Sequence, residues 1–132
     1  MLTDALRKTL GSPVFATVAT IHPDGTPHCS VVWIDRDGDD VLFAILFGSI
    51  KERNLRRDNR MTLVVNPDTA PYTYASITGT VTFSVTNRDG FMDRLSYKYT
   101  GMSYDEFAPE PLDDHDFVVV RLKPDKIYSI LE

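Results

Sequence analysis

A mainly β fold of at least six antiparallel strands, closed into a small barrel with three short helices around it, is what the chain predicts. Segments rich in β-branched and aromatic residues recur along its length, at residues 14–21, 61–65 and 117–122 among others. Tight-turn chemistry such as Pro23-Asp24-Gly25 separates them, and connections that short hold no crossover helix, so neighbouring strands run antiparallel. Closure follows because a small open sheet leaves two edges free to pair with other chains.

Thr3 caps a first amphipathic helix in which Leu2, Leu6 and Leu10 recur every four residues, and Gly11 with Pro13 ends it. This helix plugs a barrel end. Residues 14–21 form a strand, Pro23-Asp24-Gly25 reverses the chain, and residues 27–35 return beside it as a hairpin. A second turn, Asp35-Arg36-Asp37-Gly38, leads into a third strand at residues 41–46, so that three strands form a meander. Ser49-Ile50-Lys51-Glu52 then has the form of a capping box, with Ser49 as N-cap and Glu52 reaching back to it. In the helix that starts there, Ile50 and Leu55 face the core and the arginines face water. Residues 61–65 resume strand character until Asn66-Pro67, and residues 72–85 read as one long strand bent at Gly79. A third helix covers about residues 88–99 and stops at Gly101, a natural C′ position, before a loop containing Pro109 and Pro111. Finally, residues 117–122 and 126–130 flank Lys123-Pro124-Asp125 as a closing hairpin.

With 132 residues, 42% of them hydrophobic and 25% charged, the composition is that of one compact domain spanning residues 1–132. No run approaches the roughly 18 apolar residues of a membrane helix, and Met1-Leu2-Thr3-Asp4 lacks the basic and apolar segments of a signal peptide. A cytoplasmic location with no membrane partner is expected. The net charge of −5 repels phosphate backbones and excludes general nucleic-acid binding. The lone Cys29 is expected to be a small core residue of an apolar strand. His22, His28 and His115 lack the helical spacing or nearby cysteines of a zinc site, and Asp113-Asp114-Asp116 lacks a calcium-loop pattern, so no metal is expected. No Gly-x-Ser-x-Gly elbow, Walker loop or Gly-x-Gly-x-x-Gly is present, which leaves triad hydrolysis, nucleotide hydrolysis and Rossmann binding without support.

Against the acidic balance, Lys51, Arg53, Arg56, Arg57 and Arg60 crowd into ten positions. The run from Gly48 and Ser49 through Lys51 and Asn54 joins a strand end to a helix start, where free backbone N–H groups and partial positive charge await an anion. Gly48 permits close backbone approach, and Lys51 aims a full charge at the same place. The competing reading is a solvated basic helix face with an ordinary cap.

Lys51-x-Arg53-Asn54-Leu55-Arg56-Arg57-Asp58, placed after the third strand, resembles the signature of the pyridoxamine-phosphate-oxidase-like split-barrel family. More narrowly, it is similar to the actinobacterial branch that depends on the deazaflavin coenzyme F420. Phe15-Ala16-Thr17-Val18-Ala19-Thr20, Pro23-Asp24-Gly25-Thr26-Pro27, Ser30-Val31-Val32-Trp33, residues 72–79 and Tyr97-Lys98-Tyr99-Thr100-Gly101 match that branch in order. The resemblance implies a six- to seven-stranded antiparallel split β-barrel with short peripheral helices, and a homodimer with two symmetry-related sites. A tricyclic ring would lie in the groove between subunits.

By the same resemblance, Lys51 matches the lysine that holds the cofactor phosphate, with Asn54 nearby. Ser30, Val31, Val32 and Trp33 match the strand under the ring, and Tyr72 and Tyr74 match aromatic positions brought by the partner subunit. Ser49 stands where many members carry an arginine, which removes one cation from the anion site and leaves Arg53 or Arg56 as the replacement. Because side chains alternate along a strand, about half of the segment at residues 30–33 lines a site and the rest packs in the core. Tyr72 and Tyr74, two apart and thus on one face, serve either interface packing or ring contacts.

The expected activity is an F420-dependent reduction of a small unsaturated organic substrate, with no acid–base residue singled out because the cofactor performs the difficult chemistry. The alternatives are an FMN-dependent oxidoreductase of the same fold and a non-catalytic flavin or deazaflavin carrier or sensor.

Overall fold

The computed structural model describes residues 1–84, 90–112 and 116–131. Helix α1 (Asp4–Gly11) starts where the side-chain chemistry places it, with the Thr3 hydroxyl accepting from the Leu6 N–H at 3.1 Å. Its buried side, Leu6 and Leu10 together with Leu2, enters the core. Strands β1 (Ala16–Ile21), β2 (Pro27–Val32), β3 (Asp35–Asp37) and β4 (Asp40–Leu46) come next, followed by α2 (Ile50–Arg57). Then follow β5 (Arg60–Val65), β6 (Ala75–Ser84), α3 (Phe91–Thr100), the single-turn α4 (Tyr104–Phe107) and β7 (Phe117–Ser129).

The seven strands form one sheet in the order β2-β1-β5-β6-β7-β4-β3, antiparallel at every ladder. Val18, Val32, Phe43, Leu63, Ile77 and Val120, contributed by six of those strands, belong to a single buried cluster. Only a sheet curled on itself brings them together, so the architecture is the expected split barrel with a filled interior. A second cluster, Leu42, Phe91, Met92, Leu95, Phe117 and Val119, seats α3 on the outer face of β4 and β7.

Several expectations are corrected. The first three strands do not form a meander: β2 pairs only with β1, while β4 pairs with β3 and β7 at the far end of the sheet. The chain between β2 and β3 is held across this gap by α3, whose Tyr99 hydroxyl accepts from the Ile34 N–H at 3.1 Å and whose Lys98 ammonium donates to the Ile34 carbonyl at 2.6 Å. Residues 35–37, expected in a turn, are strand β3, and the reversal falls at Gly38 with φ +61°. The closing hairpin is instead one continuous strand, β7, paired with β6 from Val119 to Ser129. Lys123-Pro124-Asp125 makes a bulge there, since Gly79 lies opposite Pro124 and Thr78 opposite Lys126, leaving Asp125 as the extra residue. A Cβ on Gly79 would sit 2.0 Å from the Lys123 carbonyl oxygen, which is why this position takes glycine.

The long strand at residues 72–85 begins only at Ala75, because the Asn66 side chain ties the carbonyls of Pro71 and Thr73 into a loop at 2.9 and 2.6 Å. Ile50 is 44% exposed rather than in the core. It stands five residues from Leu55, about 140° away around a helix at 3.6 residues per turn, so the two cannot share a face. Cys29 lies exposed on the outer face of β2, not in the core. The Pro-rich loop contains a fourth helix, α4, capped by Ser103. The expected helix start at residue 88, the strand end at Val85, and Asp113, Asp114 and His115 lie outside the described residues. No helix among those described is long and apolar enough to cross a membrane.

Candidate functional site

Since β2 and β4 share no ladder, the sheet is open between them, and an apolar groove of about 280 Å³ runs there. Val31, Val32 and Trp33 line one side and Ala44, Ile45 and Leu46 the other, with Met92, Leu95 and Phe117 completing it. The alternation of β2 decides which of its side chains are available: Val31 points out and is 61% exposed, whereas Val32 is buried. As an edge strand, β2 also leaves alternate backbone N–H and C=O groups without a ladder partner, ready for a polar ligand edge.

Lys51 lines the same groove from the first turn of α2. It is half-buried and makes no ion pair or hydrogen bond among the described residues; burial lowers its pKa below the usual 10.5. An ammonium drawn partly from water without a counter-ion is destabilised, and an incoming anion reverses that cost.

The helix terminus beside it is prepared in part. The Ser49 hydroxyl accepts from the Glu52 N–H at 3.3 Å, as expected of the N-cap. Glu52, however, reaches the Gly48 N–H at 2.7 Å and not Ser49, whose own N–H already donates to the Leu46 carbonyl at 3.1 Å. The amides of Ile50 and Lys51 therefore remain for an anion. Gly48 holds φ +78°, a left-handed conformation that lets the chain leave β4 and enter α2 within a few residues.

The remaining predicted residues are not in the groove lining. Asn54 is 2% exposed beneath α2, where its Nδ2 donates to the Thr20 hydroxyl at 3.1 Å and its Oδ1 accepts from Arg57 at 3.0 Å. Arg57 also donates to the Ile21 carbonyl, so this pair braces α2 on β1. Ser30 shares the inward face of β2 with Val32, and its hydroxyl is buried without a hydrogen-bond partner. Tyr72 and Tyr74 are exposed away from the groove, and Tyr74 packs its ring 5.8 Å from Tyr128. Arg53 and Arg56 line a separate open groove with Phe47, Glu52 and Arg57; Arg56 pairs with Glu52 at 3.4 Å and covers the Phe83 ring. Among the described residues no group of three or more His, Cys, Asp or Glu is gathered for a metal.

Sequence reasoning missed the β4 wall and the α3 contribution. The i, i+3 pair Met92 and Leu95 on an amphipathic helix was the available signal, but an apolar helix stripe carries no mark of which strand it meets. It also missed an aromatic cluster at the Trp33 end of the groove. There Tyr99 stacks on Trp33 at 5.1 Å with planes 4° apart, while its hydroxyl, accepting from Ile34, donates to the Val14 carbonyl at 2.5 Å.

The described chain is thus a split barrel whose open sheet carries an apolar groove, with Lys51 from the first turn of α2 in its lining. The sequence profile of pyridoxamine 5'-phosphate oxidase matches residues 2–131, and the chain belongs to that family. Its structure is similar to one described as an F420 reductase, with a TM-score of 0.82, 25% identity, and coverage of 96% of this chain and 98% of the other. A conserved hypothetical protein from Mycobacterium tuberculosis is also 25% identical, with a TM-score of 0.75 over 98% of this chain and 84% of that one. General Stress Protein 26 from Bacillus anthracis shares the fold at 14% identity, with a TM-score of 0.72 over 96% and 92% of the two chains. No curated protein matches the sequence.

Proposed function

We propose that this chain is an oxidoreductase that binds a phosphate-bearing deazaflavin, coenzyme F420, in the groove between β2 and β4 and reduces an unsaturated organic substrate. The observation that carries this reading is Lys51, half-buried and without a partner among the described residues, beside free helix amides at an apolar groove. These residues fit the group: Val31, Trp33, Ala44 and Leu46 offer apolar walls to a planar ring, and Lys51 with the amides of Ile50 and Lys51 offers donors to a phosphate. When bound and reduced, a deazaflavin supplies a hydride from its C5 position to an electron-poor carbon.

The protein's part is to bind, orient and exclude water. The exposed edge of β2 presents backbone donors and acceptors to a ring's polar rim, and the apolar walls keep the reacting face dry. The groove volume of about 280 Å³ holds little more than a ring system, so the covering surface comes from elsewhere. A second copy of the chain supplies it in this reading, with Tyr72 and Tyr74 as the aromatic residues it presents. The likeness to an F420 reductase over nearly the whole of both chains favours the deazaflavin over FMN, whose phosphate suits the same corner.

Titration of the purified protein with F420 and with FMN, followed by assay of substrate-dependent oxidation of the reduced cofactor, tests the reading. Preferential binding and turnover of F420 are expected. Bound yellow FMN retained through purification would transfer the assignment to the flavin, binding without turnover across enones and quinones would leave a carrier, and binding of neither would sink it.

A further inference from the structure

We infer that the cleft between α3 and β3, on the outer face of the sheet, is a second ligand site, and that it takes a small zwitterion with an apolar body, of the class of a free α-amino acid. Helix α3 crosses that face and divides it. On one side lie Ala44, Leu46 and Phe117, which line the groove between β2 and β4. On the other lie Leu42, two residues before Ala44 on β4, and Val119, two residues after Phe117 on β7, and these floor the cleft. The helix serves both sides: Met92 and Leu95 line the groove, whereas Phe91 and Arg94, about 100° around the helix, line the cleft. At about 500 Å³ the cleft is larger than the groove and has the volume of sites that enclose small organic ligands. It does not depend on what the groove binds.

The charges of the cleft select the ligand. Arg36, Arg94 and Arg121 line it together with Asp35 and Asp37, and Asp40, which Arg121 also holds, brings these charges to balance. An ion of one sign therefore meets a like charge beside its partner, and only a molecule carrying both signs finds a partner for each. The ion pairs are unequal. Arg121 is fixed, donating to Asp37 at 2.7 Å and to Asp40 at 2.8 Å, and so ties β7 to β3 and β4. Arg94 reaches from α3 to Asp35 on β3 at 3.8 Å, beyond the about 2.7–2.9 Å of a charge-assisted hydrogen bond. A contact that long is open to exchange: the carboxylate of a zwitterion accepts from Arg94 while its ammonium donates to Asp35. Both side chains are partly exposed, so giving up their mutual contact costs little. The apolar body of the same molecule then rests on Leu42, Phe91 and Val119.

Calorimetric titration of the full chain with L-phenylalanine tests this. Wild type should bind it with a Kd of about 1 mM or tighter, the level expected of a ligand with about a dozen heavy atoms. N-acetyl-L-phenylalanine, which lacks the ammonium, and L-phenylalanine amide, which lacks the carboxylate, should each bind at least about tenfold more weakly. Arg94→Gln and Asp35→Asn should each weaken L-phenylalanine by about tenfold, with thermal melting to check that both are folded. Should either variant fail to fold, the two derivatives decide the matter on wild type alone. The competing place for a carboxylate is Lys51 in the groove, so Lys51→Ala should bind L-phenylalanine as wild type does. No saturable binding by wild type, affinity for either derivative equal to that for L-phenylalanine, or a loss in Lys51→Ala but not in Arg94→Gln overturns the inference. None of these results bears on the cofactor, which the F420 and FMN titrations test separately.

Discussion

At the scale of single residues, Lys51 and Tyr99 contrast a side chain without a partner among the described residues with one whose hydroxyl is committed to the scaffold. Lys51 is held partly out of water, so in the proposed site an arriving anion stabilises its charge. Lys51→Ala should lower cofactor affinity by about 1.5–3 kcal/mol, the range for a hydrogen bond to a charged group, without changing the unfolding midpoint appreciably. Isothermal titration of the folded variant measures this, and unchanged affinity would refute the phosphate role. The lowered pKa also gives a sign: the ammonium binds the anion, so affinity should fall as pH rises through a value below 10.5, and this dependence should vanish in the alanine variant. Tyr99, by contrast, spends its hydroxyl on the backbone at Val14 and Ile34. Tyr99→Phe should cost about 1–3 kcal/mol of stability in urea denaturation, because it strips a part-buried amide and carbonyl of their partner. Stability equal to wild type would show that water replaces the hydroxyl at no cost.

Whole elements respond to packing as much as to their own residues. Lys123-Pro124-Asp125 has the local chemistry of a turn, yet the β6 ladder continues past it and the strand absorbs the extra residue as a bulge. The bulge carries the Lys123 carbonyl to within 2.0 Å of where a Gly79 Cβ would be, so backbone would have to move. Gly79→Ala should therefore destabilise the protein by more than about 1–3 kcal/mol, the usual cost of overpacking. Gly11→Ala is the control: it meets nothing within 4 Å and has ordinary helical backbone, so thermal melting should show equal or slightly higher stability. Helix caps were legible because they are local. Thr3 and Ser49 each accept from an amide three residues on, and Ser49→Ala should cost about 1 kcal/mol. The second half of the Ser49 capping box was not legible, since whether Glu52 bonds Ser49 or Gly48 depends on the path out of β4.

For the molecule as a whole, the open sheet leaves Tyr72, Tyr74, Tyr128 and Ile130 exposed near one another along the end of β7, a cluster suited to burial against a second copy. Sedimentation velocity should give a dimer, and Tyr74→Asp should shift it toward monomer with loss of cofactor affinity; a monomeric wild type that still binds cofactor would remove the partner from the site. Periodicity, turn residues and caps determined by themselves that this chain makes short antiparallel strands with a capped helix after β4, because those signals act within a few residues. Family motifs pointed to Val31, Val32, Trp33 and Lys51, and these the fold does assemble in one groove. Which strands would be neighbours, that Ala44 and Leu46 would form the opposite wall, that Asn54 would be a brace, and that Phe107 would lean on Trp33 were decided only in three dimensions. The reason is that strand order and helix placement follow from how one shared core is filled, and contacts between residues tens of positions apart leave no mark on the sequence around either of them.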